Sequence, residues 1–221
     1  MLTVHHLNNS RSQRVLWLLE ELGVPYEIVR YQRQPNMLAP KELRAIHPLG
    51  KSPVITDNGN TVAESGAIVE YIVKAYGAGR LIPPDDKPER LRYTYWLHYA
   101  EGSAMTPLLL KLIFGMLPKR APFLIRPIAN AISSKALASL VTPQLKQHMA
   151  FWESELGKSE WFAGNDFTAA DIQMSFPLEA ASARGGLDQS YPKAMAWLGK
   201  IHARPAYQRA LEVGGPYQVG K

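Results

Sequence analysis

Apolar and polar positions change period several times along this chain, and the changes mark out its elements. Leu2-Thr-Val-His-His-Leu7 is a short β-prone run ending in the polar turn Asn8-Asn9-Ser10. From Arg11 to Leu22 apolar residues fall at Val15, Leu16, Leu18, Leu19 and Leu22, a helical spacing, with Gly23 as the stop and Pro25 beyond it. Tyr26–Tyr31 is β-branched and aromatic enough for a second strand. A helix of this length between two strands is what a parallel crossover requires.

The next unit reads as a hairpin. Ser52–Thr56 and Thr61–Ala63 flank Asp57-Asn58-Gly59-Asn60, residues that tolerate positive φ. A helix from Ser65 to Tyr76 follows, with Ile68, Ile72 and Val73 on one side. The first 76 residues thus read β-α-β then β-β-α. Gly77, Gly79 and Leu81-Ile-Pro-Pro-Asp-Asp interrupt both periods, which puts a domain boundary near residue 80.

Everything beyond reads as helix. A long pattern runs from Pro88 through 89–117, and helices are expected again at 133–156, 169–183, 191–203 and 205–213. Pro118, Pro122 and Pro127 are expected to break the stretch between them into a bent connection or a short extra helix. Phe167-Thr168-Ala-Ala-Asp171-Ile172 places Thr168 as N-cap, Asp171 at the third helical position, and Phe167 and Ile172 as a hydrophobic staple. That junction is a structural signal.

Composition narrows the chemistry. With 46% hydrophobic and 20% charged residues, the chain can bury a globular core. No basic-then-apolar leader opens it, and the apolar run Leu108–Leu117, interrupted by Lys111, is too short to span a bilayer. The absence of cysteine excludes disulfides, Cys-ligated metal and a protein-borne redox thiol, so any thiol must arrive with a ligand. The net charge is +6, and residues 102–152 carry six bases without an acid. This stretch reads as a solvated basic surface or as a wall that concentrates an anionic ligand. No nucleic-acid motif accompanies it.

Four local patterns are chemically suggestive. They are Asn9-Ser10-Arg-Ser-Gln-Arg-Val-Leu-Trp-Leu-Leu-Glu-Glu-Leu22, His47-Pro-Leu-Gly-Lys51-Ser52-Pro53-Val54, Glu64-Ser65-Gly-Ala-Ile68, and the Phe167–Asp171 cap. Together, in this spacing and over essentially the whole chain, they resemble the soluble glutathione transferases, most closely the bacterial and fungal branch with a serine near the first helix. The resemblance implies a thioredoxin-like α/β domain over 1–80 and an all-helical domain over 88–221. It also implies a cytoplasmic homodimer that takes glutathione and a small hydrophobic electrophile, with no metal, nucleic acid or transmembrane segment.

The resemblance assigns roles to particular residues. A free thiol has a pKa of about 8.5, and lowering it by ~2 units takes roughly 2.7 kcal/mol of thiolate stabilisation. Ser10, at the start of a helix, is placed to donate a hydrogen bond to sulfur where the helix dipole favours an anion. Asn9 is the alternative donor, and either residue can serve simply as the helix cap. Ser12 is expected to face away. No tyrosine precedes Tyr26, which disfavours a phenolic activator.

Pro53 resembles the family's cis-proline, and Val54 is expected to turn its N–H and C=O toward the cysteinyl backbone of glutathione. Ser52 belongs to the same binding loop. Glu64 would pair the γ-glutamyl ammonium while Ser65 and the helix amides hold its carboxylate. The family often has a polar residue where this chain has Leu38, so Lys51 or Asn36 is expected to take the glycyl carboxylate. Trp96, Tyr99, Ser103 and Met105 are expected to line the electrophile site, although core packing is the commoner fate of such residues. Transfer of the glutathionyl group to an electrophile is the leading activity. Hydroperoxide reduction and a non-catalytic glutathione-binding role are the alternatives.

Overall fold

A computed structural model describes residues 1–34 and 38–218. The first strand, β1 (Thr3–Leu7), leads into α1 (Ser12–Leu22) and back to β2 (Glu27–Tyr31), which lies parallel to β1 with Thr3 opposite Glu27. A short helix, α2 (Glu42–Ile46), precedes the hairpin of β3 (Val54–Asp57) and β4 (Asn60–Ala63), and α3 (Ser65–Tyr76) closes the unit. The sheet order is β2-β1-β3-β4, with β3 antiparallel to both neighbours. This is the thioredoxin-like arrangement, followed by an all-helical domain.

The local reasons match the sequence pattern. Gly23 adopts φ 63° at the end of α1, a conformation that side chains resist. Asn58 and Gly59 at φ 48° and 81° make the two-residue turn between β3 and β4. Expected from no signal, α2 buries only Leu43, and one apolar position sets no period.

The helical part contains α4 (Pro88–Tyr99), α5 (Met105–Arg120), α6 (Arg126–Ala136), α7 (Thr142–Glu155), α8 (Ala169–Ala180), α9 (Pro192–His202) and α10 (Pro205–Gly214). π-helical turns at Ala100–Ala104 and Leu137–Val141 join α4 to α5 and α6 to α7, and a third follows α8 at Ala181–Gly185. Pro118 does not break its helix, contrary to expectation. It lies two residues before the end of α5, where little helix remains to disrupt, whereas Pro122 lies beyond the end and Pro127 occupies the first turn of α6.

Pro88–Arg120 is long and apolar enough to cross a membrane by length and composition alone. Its first half is nevertheless built into the core through Tyr93, Trp96 and Leu97, and Glu101 is ion-paired to Arg14 of α1 and to Arg11 just before it. The capping box at Thr168 and Asp171 is present, and the Asp171 carboxylate also accepts the Phe162 N–H at 2.9 Å. Phe167 packs against Trp17 and Trp161, at centroid separations of 5.7 and 5.0 Å.

Helix α1 joins the two parts. Nine of its eleven residues are buried, and it packs against α3, α8 and α10. Arg204 forks onto Glu21 at 2.5 and 2.9 Å, and Arg209 reaches Glu20 at 2.9 Å, so α10 is tied to α1 by charge as well as by apolar packing. These ion pairs fasten the C-terminal end of α1, while Arg14 near its other end bonds Ser65 and Gln173.

Candidate active site

A cleft of about 170 Å³ lies between the start of α3, the loop before β3 and the π-helical turn after α4. Arg11, His47, Lys51, Ser52, Glu64, Ser65 and Glu101 reach it. A more open hollow of about 630 Å³ beside Pro25 and Tyr26 is larger, but it lacks this convergence of charges and hydroxyls. The site is therefore argued from chemistry rather than size.

Ser52 lines the cleft at one end, and behind it stand two further hydroxyls, Ser10 and Ser12, that do not reach the open space. Ser10 is buried, and its Oγ lies 2.7 Å from Ser12 Oγ and 3.3 Å from Ser52 Oγ. Ser12 donates to the Leu7 carbonyl and Ser52 to the His5 carbonyl, at 3.3 and 3.2 Å. Ser12 Oγ lies closer to Ser10 Oγ and to His6 Nδ1, at 2.7 and 2.9 Å, than to the Leu7 carbonyl, and the Ser12 N–H points at Ser10 Oγ from 3.2 Å. The three hydroxyls therefore form one connected hydrogen-bonded group. Capping uses the oxygen's lone pairs and activation uses its proton, so the two roles of Ser10 are compatible.

Ser12 does not face away, as the sequence suggested. It is buried, with His6 Nδ1 2.9 Å from its Oγ. Burial lowers the His6 pKa, which favours the neutral ring, partly offset by an interaction with the Gly214 backbone. Asn9 sits at φ 51° with its side-chain oxygen accepting the Gln218 N–H at 2.7 Å, so that group serves the C-terminal segment.

The Ser52–Pro53 bond is cis. Val54 departs from expectation: it is fully buried, registers opposite both His5 and Ala63, and does not line the cleft. β3 is an inner strand, so its first residue has no free edge. Ser52 precedes the ladder, and among the described residues no backbone group pairs with its N–H or C=O.

The other end is built from charge. Glu64 holds φ 71° and ψ 125°, an uncommon conformation for a residue with a side chain, directly before Ser65 opens α3. Arg14, only 2% exposed, bonds Ser65 Oγ at 3.1 Å and the Gln173 carbonyl at 2.5 Å, and ion-pairs with Glu101. Arg11 reaches the same carboxylate at 3.0 Å. Burial pushes the Glu101 pKa up, but the two guanidiniums override it and hold the carboxyl below its usual range.

Sequence reasoning missed Arg11, Arg14 and Glu101. One signal was available: Glu101 is the sole acid between Glu89 and Glu153. It lies in a π-helical turn, a local geometry often found at functional sites.

Three of the four residues expected to line the electrophile site pack into the interior. Trp96 is in the aromatic core, 4.6 Å from Phe162 and 5.3 Å from Phe151 between centroids. Tyr99 is buried, hydrogen-bonded to His148 and accepting the Trp152 Nε1–H at 3.2 Å. Met105 is also buried, and of the four only Ser103 is exposed. These large side chains fill the domain interior, where their area is best removed from water. Lys51 is exposed at the cleft. Leu38 is exposed beyond it, and Asn36 lies outside the described residues. Among the described residues no cluster suits a metal ion.

Comparison with known proteins bears on the family of the chain. Residues 1–74 match the family model "Glutathione S-transferase, N-terminal domain", and residues 115–205 match "Glutathione S-transferase, C-terminal domain". Glutathione S-transferase 3 of Schizosaccharomyces pombe is 38% identical over 216 residues, covering 96% of this chain and 87% of its own. A glutathione S-transferase structure from Actinobacillus pleuropneumoniae superposes with a TM-score of 0.78 at 31% identity, covering 97% of this chain and 93% of its own. A sphingomonad enzyme complexed with glutathione gives a TM-score of 0.72 at 25% identity, covering 96% and 98%. The chain belongs to the glutathione S-transferase family.

Proposed function

We propose that the cleft holds glutathione with its sulfur beside Ser10 and its γ-glutamyl end against Glu64, Ser65 and Glu101, and that the thiolate attacks a hydrophobic electrophile. The observation that carries this reading is that Ser52, which lines the cleft, has the buried Ser10 hydroxyl 3.3 Å away, while Glu64, Ser65 and Glu101 line the same cleft. Residues 1–80 then form the glutathione-binding domain and 88–221 the helical one.

The chemistry follows from the two ends of the site. The Ser52 N–H and C=O, free of the ladder, suit the cysteinyl peptide unit, a task the sequence had given to Val54. The γ-glutamyl carboxylate faces the amides at the start of α3, where the helix dipole favours an anion. Its ammonium meets Glu64 and Glu101, and Lys51 is available to the glycyl carboxylate. Ser10 donates to sulfur and stabilises the thiolate relative to the thiol. The thiolate's electron pair forms the new C–S bond as the electrophile's leaving group departs, or as its double bond takes up the charge. The electrophile approaches from the side of α4 and α5, where Ser103 is exposed two residues beyond Glu101. A homodimer in a cytoplasmic setting completes the reading, as the resemblance implied.

The test is a glutathione titration near neutral pH, followed by the ultraviolet absorbance of the bound thiolate and by turnover with a panel of electrophiles. Saturable thiolate formation together with conjugate formation is expected. Binding without a thiolate signal at any pH up to the thiol's ordinary range would overturn the assignment of Ser10.

A further inference from the structure

The basic stretch noted in the sequence is not absorbed by the glutathione site. In three dimensions it runs through α5, α6 and most of α7, and the tip between α5 and α6 is unusual. Pro122 ends the passage from α5, Phe123–Ile125 form a single 3₁₀ turn, and Pro127 restarts the chain as α6. Helix connections are normally polar or glycine-rich. This one presents three consecutive large apolar side chains, with Phe123 80% and Leu124 86% exposed.

The apolar surface continues down α6. Ile125, Ile128 and Ile132, spaced three and four residues apart, share a face and are each more than half exposed. Lys119, Arg120 and Arg126 flank the tip and are exposed as well. Protruding apolar side chains ringed by cations are what an interfacial membrane anchor requires. A soluble protein rarely leaves such a patch open without a partner.

We propose that the α5–α6 tip docks peripherally on an anionic lipid bilayer, with Phe123, Leu124 and Ile125 entering the headgroup–acyl boundary and Lys119, Arg120 and Arg126 meeting lipid phosphates. Charge decides the occupant. A second copy packed on this patch about a two-fold axis would set the same three cations against their own equivalents, with no acid between residues 102 and 152 to relieve them. An anionic leaflet supplies the missing counter-charge, and each basic residue near such a surface contributes favourably. The contact is peripheral rather than spanning, because Glu101 and the core aromatics hold the first half of the long helix within the protein.

The experiment is co-sedimentation of the full chain with vesicles of phosphatidylcholine alone or with about one-third phosphatidylserine, a strongly anionic surface. Wild type should partition at least ~10-fold more onto the anionic vesicles, and high salt should release it. Phe123→Ser/Leu124→Ser and the triple variant Lys119→Glu/Arg120→Glu/Arg126→Glu should each lose about tenfold or more of that partition. Their melting temperatures and turnover with a soluble electrophile should match wild type, which shows that both are folded. Failure of wild type to pellet, or equal pelleting by both folded variants, overturns the proposal. So does loss of self-association by the serine variant in sedimentation velocity, which would make the patch a contact between copies. A fall in its turnover with the soluble electrophile would assign the patch to the substrate site, with the same consequence.

Discussion

The two ends of the cleft solve different problems with different materials. The end proposed to take the γ-glutamyl group uses full charges, Arg11 and Arg14 against Glu101 beside Glu64, set around the start of a helix. The end proposed for the sulfur has Ser52 at the cleft with Ser10 and Ser12 behind it, neutral groups whose oxygens lie 3.3 Å (Ser10–Ser52) and 2.7 Å (Ser10–Ser12) apart. Charges act over distance and are present in every state of the reaction, so they bind. A hydroxyl proton acts at contact and matters most where negative charge resides on sulfur, so it activates. The comparison predicts that substitutions at the two ends separate into effects on the Michaelis constant and effects on turnover.

The largest expected effect is at the sulfur end. Ser10→Ala removes the proton aimed at the thiolate, and turnover at neutral pH should fall about 10–1,000-fold, as one lost hydrogen bond to a charge plus imperfect compensation would give. Glutathione should still bind, and the pH titration of the bound thiolate's absorbance should move to higher pH. Asn9→Ala is the control. If it moves that curve while Ser10→Ala does not, the amide is the activator and Ser10 is only a cap.

At the charged end, Glu101→Gln should raise the Michaelis constant for glutathione by roughly 10-fold or more, the scale of one charge-assisted contact, with a smaller change in turnover. It also leaves the buried Arg14 without its counter-ion, which should lower the melting temperature. The pH dependence has a definite sign. The folded-state pKa of Glu101 lies below the ordinary 4.5, so its contribution to stability is present above that value and lost as pH falls through the depressed one. Melting curves from neutral to acid pH should show a shallower acid loss in Glu101→Gln than in wild type. A steeper loss would mean that the arginines do not govern this carboxyl.

Glu64→Ala and Ser65→Ala should do less, raising the Michaelis constant about 3–10-fold while leaving turnover nearly unchanged, since each removes one contact made in every bound state. Steady-state kinetics with glutathione varied is sufficient. A fall in turnover at constant Michaelis constant would dissolve the division between the two ends.

What could be read from the sequence follows the range of the forces involved. The β-α-β and β-β-α units, Gly23 as a stop, the Asn58-Gly59 turn and the Thr168–Asp171 cap were legible because each depends on residues a few positions apart. The Arg14–Glu101 pair joins residues 87 positions apart, and nothing local announces it. Trp96 and Tyr99 looked equally suited to a ligand wall or a core, because helical periodicity gives a residue's face and not what covers that face. The burial of Val54 on an inner strand was hidden for a similar reason. Whether a strand lies at the edge of a sheet depends on strand order, here β2-β1-β3-β4, and the hairpin pattern alone does not contain it.

The smallest effect is the sharpest test of the sulfur end as an organised group. Ser12 Oγ is 2.7 Å from Ser10 Oγ and is itself held by the Leu7 carbonyl and His6 Nδ1. Neither serine lines the open cleft, but Ser10 contacts Ser52, which does, and Ser12 contacts only Ser10 of that pair, so in the proposed reading it acts through Ser10 as a positioning residue. Ser12→Ala removes the neighbour that restricts Ser10's rotor while leaving the Ser10 proton in place. Turnover should drop only about 2–10-fold, on the scale of one neutral hydrogen bond, with the Michaelis constant for glutathione unchanged. The thiolate titration should move to higher pH by less than in Ser10→Ala, and Ser12→Thr, which keeps the hydroxyl, should restore it. A merely structural role would lower the melting temperature without moving that titration. The double variant decides the matter. If Ser12 works through Ser10, adding Ser12→Ala to Ser10→Ala should cost almost nothing further, a strongly non-additive cycle. Full additivity of the two losses would show that Ser12 acts independently, and the hydroxyls would then be neighbours rather than one device.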